Sequence, residues 1–249
     1  MNVNFCITFT TIPSRINNIY KTIESIEKQT IKPSKIFLNI PNKYYRFPHA
    51  KISQNHLDKL KSGLVEVNRC DDYGPGTKIM GSLEKIRKYD CAIIIDDDHI
   101  YNEKMCEIFI RAFKEKKHNY SYYIQKIFDI KMAQCADGFL INTENLNGIS
   151  RFYNMYVKKN KNLFLDDDLW LSIYLQKNEK SEIYNLIDIF RKETNKKIVY
   201  DIHSSVDALS THVHSPKKFL NRRKIAKIEY IKFRFYSYIN NFFNKNLNT

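Results

Sequence analysis

Glycine and proline are scarce, six of each in 249 residues, which excludes a collagen-like or low-complexity chain. No stretch rich in Gly, Ser or Pro marks a linker, and no internal repeat is visible. The cysteines, at 6, 70, 91, 106 and 135, are odd in number and form no CxxC pair, so the pattern points away from a zinc ribbon or a disulfide framework. Long apolar runs are missing as well: nothing approaches the ~18 residues of a membrane span. The first residues, MNVNFCITFTTIPSR, have no basic segment leading into a long apolar core. A cytoplasmic, reducing location is therefore the expectation.

Acid is the charge in short supply, with 27 Asp+Glu against 41 Lys+Arg and a net charge of +14. Such a surplus raises nucleic acid, acidic lipid or phosphorylated small molecules as partners. Its distribution weakens the first of these. After Pro216 stand nine basic residues and one acid, so +8 of the +14 lies in the last segment. There Lys and Arg interleave with Phe219, Ile228, Tyr230, Ile231, Phe233, Phe235, Tyr236 and Tyr238. A helix of that composition either lies on an anionic membrane surface or packs on the body with its aromatics inward.

What is present is 43% hydrophobic residues with an alternating strand and helix pattern. Phe5–Phe9, Lys35–Ile40, Leu64–Val67 and Cys91–Ile95 read as strands, the last an apolar run that needs cover on both faces. Between them, Ile16, Ile19, Ile23 and Ile26 fall on one helical face behind Ser14 as a candidate N-cap. Helices are also expected around Ile52–Leu60 and over Thr77–Lys88. Later, Tyr120–Ile130 reads as a strand or strand pair, Gly138–Ile141 and Ile198–Ile202 as strands, and Asp167–Leu175 and Ile183–Arg191 as helices. The order implies a single α/β domain with a mostly parallel central sheet, over residues 1–215, followed by a basic, aromatic helical segment, 216–249. Ligands of such sheets bind beyond the carboxyl ends of the strands.

Three carboxylates, Asp96, Asp97 and Asp98, end the most apolar strand. Crowding anions there raises their mutual repulsion and desolvation cost. A divalent cation offsets it, and the i, i+2 pair Asp96 and Asp98 can reach one hard ion whose shell is completed by phosphate oxygens. His99, one residue on, reads as supporting or solvated rather than ligating. A second triplet, Asp166, Asp167 and Asp168, opens a helix; three acids exceed what a cap needs, and one can serve as general base toward a hydroxyl. Between the two lies Asp71-Asp72-Tyr73-Gly74-Pro75-Gly76-Thr77-Lys78, a turn feeding a helix, with Lys78 placed to reach a phosphate. It matches neither GxxxxGK[ST] nor GxGxxG.

Taken in order, Thr10-Thr11-Ile12-Pro13-Ser14-Arg15, Asp72-Tyr73-Gly74-Pro75-Gly76-Thr77-Lys78, Ile93-Ile94-Ile95-Asp96-Asp97-Asp98 and Asp167-Asp168-Leu169-Trp170-Leu171-Ser172 resemble the nucleotide-sugar glycosyltransferases of the GT-A, Rossmann-like fold. Family-2-like bacterial and viral members, with a D-x-G-P-x-T-K segment before a DxD motif, are the ones it is most similar to. The resemblance spans roughly residues 3–215. It implies that Thr10, Thr11 and Arg15 line the nucleotide pocket, with Asp72 and Lys78 near the nucleotide or its pyrophosphate. Asp96 and Asp97 then stand on the donor side, Asp96 toward the ribose or the metal, and Asp98 is the main ligand of Mn²⁺ or Mg²⁺. Asp168 aligns with the second acid of the family's Glu-Asp pair as the base; Asp167 replaces the Glu, which leaves the two open. His212 and His214 are candidates for a further metal ligand or a pyrophosphate contact.

The implied reaction inverts the anomeric centre. It moves a sugar from a nucleotide-diphosphate donor, a UDP-sugar first, to a hydroxyl on a glycan or lipid-linked glycan. The expected partners are that donor, that acceptor and, through the basic tail, the periphery of a membrane; nucleic acid is not among them. The alternative chemistry is a two-metal nuclease or nucleotidyltransferase, which requires a basic groove beside Asp96 and Asp98.

Overall fold

A computed structural model of the chain describes residues 2–60, 63–201, 207 and 216–246. β1 (Phe5–Thr10) leads through a tight helical turn, Pro13–Arg15, into α1 (Ile19–Glu27). β2 (Lys35–Pro41), α2 (Gln54–Leu60), β3 (Val65–Cys70), α3 (Thr77–Met80), α4 (Leu83–Ile86), β4 (Cys91–Ile94) and β5 (His99–Tyr101) follow. The chain continues through α5 (Met105–Glu115), β6 (Asn119–Ser121), β7 (Ile124–Ile127), β8 (Ile130–Ala133) and β9 (Phe139–Asn142). Then come α6 (Ile149–Phe152), α7 (Lys161–Phe164), α8 (Asp167–Ile173), β10 (Ile183–Asn185), α9 (Ile187–Thr194), β11 (Val199–Asp201) and α10 (Pro216–Asn246).

Seven strands form one sheet in the order β10-β6-β9-β4-β1-β2-β3. β3, β2, β1 and β4 pair in parallel, β9 runs antiparallel to both β4 and β6, and β10 is parallel to β6. The architecture is therefore the single-domain α/β fold with a mostly parallel sheet that the strand and helix alternation implies. β4 is the middle strand, and β1 lies between it and β2. The chain reverses its winding there, so a crevice opens beyond the ends of β1 and β4.

Alternation along the strands builds a core on each face of the sheet. Phe5, Ile7 and Phe9 of β1 join Ile36, Leu38 and Ile40 of β2 with α1 and α5 on one side. Cys6, Phe37, Ala92 and Ile94 point to the other, where Ile79, Trp170, Leu171 and, from α10, Ala226, Tyr230 and Phe233 cover them. Each large side chain so buried contributes on the order of 1.5–3 kcal/mol of transfer free energy.

Several local expectations are corrected. Ser14 does not cap α1: it sits inside the Pro13–Arg15 turn, and the helix opens only after Asn18. The Thr77–Lys88 stretch is two helices, because Gly81 and Ser82 interrupt it. At Gly81 a Cβ would lie 2.8 Å from that of Asn39, so the break lets the chain pass close under β2. Ile183–Asn185 is not the start of a helix but an edge strand; its register with β6 takes Ile183 into the core before α9 begins. β11 pairs antiparallel with β5, outside the main sheet. Tyr120–Ile130 is a short sheet strand followed by the first arm of a separate β7–β8 hairpin.

Candidate active site

The crevice is a cleft of about 540 Å³. Its floor is made by the ends of β1 and β4. Thr10 and Thr11 leave β1, and Asp96, Asp97 and Asp98 leave β4 one residue past the fully buried Ile95. Asp97 is an anchor: Thr11 Oγ1 donates to it at 2.5 Å and Arg15 Nη1 at 2.6 Å. Thr22 of α1 closes the turn, donating its hydroxyl to the carbonyls of Asp97 and His99, each at 2.9 Å. Burial pushes the Asp97 carboxyl above its ordinary range in spite of Arg15. Asp98 moves the other way. Burial opposes its ionisation, but His99 and Arg15 outweigh burial and hold its carboxyl below the ordinary value.

Lys78 joins the two acidic clusters. Its ammonium pairs with Asp96 and, at 3.0 Å, with Asp167, and its side chain is only 10% exposed. A lysine buried so deeply is stable as a cation only between carboxylates. Burial acts to lower its pKa, yet Asp167 and Asp96 keep it well above the ordinary lysine value. The backbone beneath it is fixed as well. The Lys78 carbonyl accepts from Thr8 Oγ1 and, at 3.0 Å, from Asn39 Nδ2, two polar side chains buried on β1 and β2.

Asp166, Asp167 and Asp168 come from the first turn of α8 and its cap. Asp166 caps the helix by accepting from the Leu169 N–H at 3.2 Å. Asp168 is oriented from both sides, its Oδ1 accepting from the Cys135 N–H at 2.9 Å and its Oδ2 from Arg222 at 3.0 Å. Asp167 is pushed up to about 6 by burial, against the pull of Lys78, with Asp168 adding repulsion. Burial likewise raises Asp168, against Arg222 and Lys78.

The cleft thus brings Thr10, Thr11, Arg15, Asp72, Lys78, Asp96, Asp97, Asp98, Asp167 and Asp168 into one site. Asp72 shapes the wall: it accepts from the Gly74 N–H at 2.7 Å and from the Tyr45 N–H. Gly74 has φ +62°, and a Cβ there would run into the Phe164 carbonyl at 2.5 Å. His212 and His214 lie outside the described residues. Trp170 is fully buried against Tyr153, 5.6 Å between ring centroids, and belongs to the core beneath the site.

No family model matches the chain, and no curated protein matches it. Solved structures do. The mannosyltransferase PcManGT from Pyrobaculum calidifontis, in complex with GDP-Man and Mn²⁺, superposes with a TM-score of 0.59 at 9% identity, over 92% of this chain and 70% of that one. TarS of S. aureus in complex with UDP-GlcNAc gives 0.56 at 14% identity, over 91% of this chain and 66% of that one. GlyE of Streptococcus pneumoniae TIGR4 gives 0.50 at 14% identity, over 82% and 55%. The chain has the fold of the GT-A glycosyltransferases. It spans a little under two thirds of the TarS structure and about half of GlyE.

Within this GT-A scaffold, the donor set at the end of β4 fits a hard divalent cation. Ligand atoms of Asp96, Asp98 and His99 all lie within 4.8 Å of one another. Asp98 Oδ1 is buried 2.8 Å from His99 Nδ1, and the imidazole proton is shared with the carboxylate there. Two carboxylates and an imidazole drawn this close form a donor set that a divalent cation would take up in place of that proton. The grouping of Cys135 with Asp167 and Asp168 suits a hard cation less, because a thiol is a soft donor and the two carboxylates are already engaged by Lys78 and Arg222.

Two contributors escape the motif reading. His99 is within ligand reach, where its place after the acids reads only as supporting. Arg222, from α10, forks onto Asp166 at 2.9 and 3.2 Å besides holding Asp168. The signal for it is helical phase. Arg222 shares the inward face with Ala226, Glu229, Tyr230 and Phe233, whereas Arg223 and Lys224 point outward.

Proposed function

We propose that this protein is a nucleotide-sugar glycosyltransferase that passes a sugar from a nucleoside-diphosphate donor, a UDP-sugar first, to a hydroxyl acceptor with inversion. The observation that carries this reading is the charge of the cleft. Among the described residues, eight carboxylates, Asp72, Asp96, Asp97, Asp98, Asp166, Asp167, Asp168 and Asp207, face four cations, Arg15, Arg46, Lys78 and Arg222. A nuclease groove must be basic to hold a polyanion, and the described lining of this one is acidic. A small diphosphate that arrives with a divalent ion suits it. The fold shared with PcManGT and TarS, whose structures hold GDP-Man with Mn²⁺ and UDP-GlcNAc, supports the same donor class.

Asp98 and Asp96, with His99, would hold Mn²⁺ or Mg²⁺, and the imidazole favours the softer Mn²⁺. Bound there, the ion supplies Lewis-acid neutralisation of the diphosphate leaving group. Arg15 and Lys78 add fixed positive charge on the same side, and Thr10, Thr11 and Asp72 shape the nucleotide wall. Asp168 acts as the base that takes the acceptor proton. Its two hydrogen bonds orient it, and Arg222 sustains its ionised form. Asp167 ties the acceptor side to the donor side through Lys78. The acceptor is a glycan or lipid-linked glycan hydroxyl.

Asp168→Asn keeps the size of the side chain but removes the proton acceptor. Donor affinity is expected to stay within about threefold of wild type while transfer falls by two to four orders of magnitude, roughly what a general base contributes. Calorimetry with UDP and Mn²⁺, paired with a radiolabelled transfer assay, reads both. Normal turnover in Asp168→Asn removes the base assignment.

A further inference from the structure

We infer that α10 docks the protein on an anionic lipid surface through the face it turns away from the core. Two apolar stripes run along this helix, on opposite sides. The inner one, Ala226, Tyr230 and Phe233, is buried against the domain, together with the buried Glu229. The outer one is Ile228, Ile231, Phe235 and Tyr238, spaced 3, 4 and 3, with exposures of 41%, 57%, 62% and 70%. A helix needs only one apolar stripe to pack on its domain. The second is large, aliphatic and aromatic, and faces outward.

The charge beside it selects the partner. Arg223, Lys224, Lys227 and Arg234 are exposed on α10, whereas Glu229, the helix's one acid, is turned inward onto Asn160 and Asn162 and pairs with Lys232 at 2.9 Å. Phe128, 48% exposed at the β7–β8 turn, extends the apolar surface at the flank, with Lys227 Nζ 5.6 Å over its ring. A second copy of the chain is disfavoured, because a two-fold contact would bring these unbalanced cations face to face. Anionic headgroups match them, while Ile231 and Phe235 enter the acyl boundary and Tyr236 and Tyr238 suit the headgroup level. Among the described residues no helix is long and apolar enough to cross a membrane, so α10 would lie on the surface.

The same helix forms part of the cleft wall through Asn221, Arg222 and Ile225. Docking along α10 therefore brings the mouth of the cleft to the lipid and selects a lipid-linked acceptor over a free one. That choice of acceptor rests on the glycosyltransferase reading; the docking does not.

The test is co-sedimentation of the full chain with phosphatidylcholine vesicles, with and without phosphatidylglycerol, at low and raised salt and with no nucleotide present. Binding to the anionic vesicles at least about tenfold tighter than to neutral ones, weakening with salt, is expected. Ile231→Ser with Phe235→Ser should lower it by about tenfold or more, and Lys227→Gln with Arg234→Gln should lower it and flatten its salt dependence. All four positions are exposed, so both variants should melt like the wild type and bind UDP with Mn²⁺ unchanged. Equal binding to neutral vesicles, no binding, or binding that neither variant weakens overturns the docking. So does light scattering that shows a dimer dissolved by Ile231→Ser with Phe235→Ser. Vesicle binding without any nucleotide binding would keep the docking and sink only the donor chemistry.

Discussion

Lys78 is the residue on which the two halves of the site meet, since its ammonium lies buried between Asp96 and Asp167. An arrangement with so many buried charges stores a pH dependence. Asp167 has its pKa raised from 3.8 to about 6 in the folded protein, chiefly by burial. Between those values the folded state binds more protons at this carboxyl than the unfolded chain does, so its contribution to stability falls as pH rises through that window. Asp167→Asn removes the titration. The melting temperature of the variant should lose less, relative to wild type, between pH 4 and pH 6. Parallel wild-type and variant curves would show that Asp167 titrates as it does in the unfolded chain.

Legibility at this scale depends on whether a residue's neighbours in sequence explain it. Asp96 and Asp98 are visible because three acids after CAIII cost too much to lack a purpose. Arg222 is hidden because it stands among Arg223 and Lys224 in a basic run, and only its phase on the helix separates it from them. His99 is hidden by its adjacency. The short β5 that begins there, held by β11, turns the ring back toward Asp98.

At the scale of elements, the parallel half of the sheet follows from apolar runs separated by helical periodicity, which is why β1, β2, β3 and β4 stand where the residues place them. The far edge of the sheet is less legible. The run from Gly138 to Ile141 does mark β9, but β10 is only three residues, and a tripeptide such as Ile183–Asn185 is shared ground between strand and helix until tertiary pairing decides it. The break between α3 and α4 is a packing feature: Gly81 meets Asn39, and Asn39 in turn supports Lys78. Gly81→Ala should destabilise the fold by about 1–3 kcal/mol through overpacking, and should weaken nucleotide binding because the Lys78 carbonyl loses its seat. Chemical denaturation alongside UDP binding checks it. An unchanged midpoint would mean that α3 can move without cost.

For the whole molecule, charge is segregated. The body keeps an acidic cleft at its sheet's switch point, while α10 carries basic residues outward and sends one of them, Arg222, back into that cleft. The net charge alone does not reveal this. A pI near 9.4 reads as a polyanion binder, but the arrangement separates a cleft with an acidic described lining from a basic outer surface. The GT-A likeness agrees with the cleft at identities of 9–14%, where only the fold is shared and the site must be argued from its own residues.

The most direct measurement is a calorimetric titration of the protein with UDP and related nucleoside diphosphates, with and without Mn²⁺, on wild type and Asp98→Ala. The wild type should bind one nucleoside diphosphate in a Mn²⁺-dependent manner, and Asp98→Ala, still folded, should lose that dependence. Saturating ligand should raise the stability of the wild type alone, by about 2.7 kcal/mol at a hundredfold excess over Kd. Failure of every nucleotide to bind, or binding that ignores both the metal and Asp98, would contradict the assignment of the cleft to a metal-held nucleotide sugar.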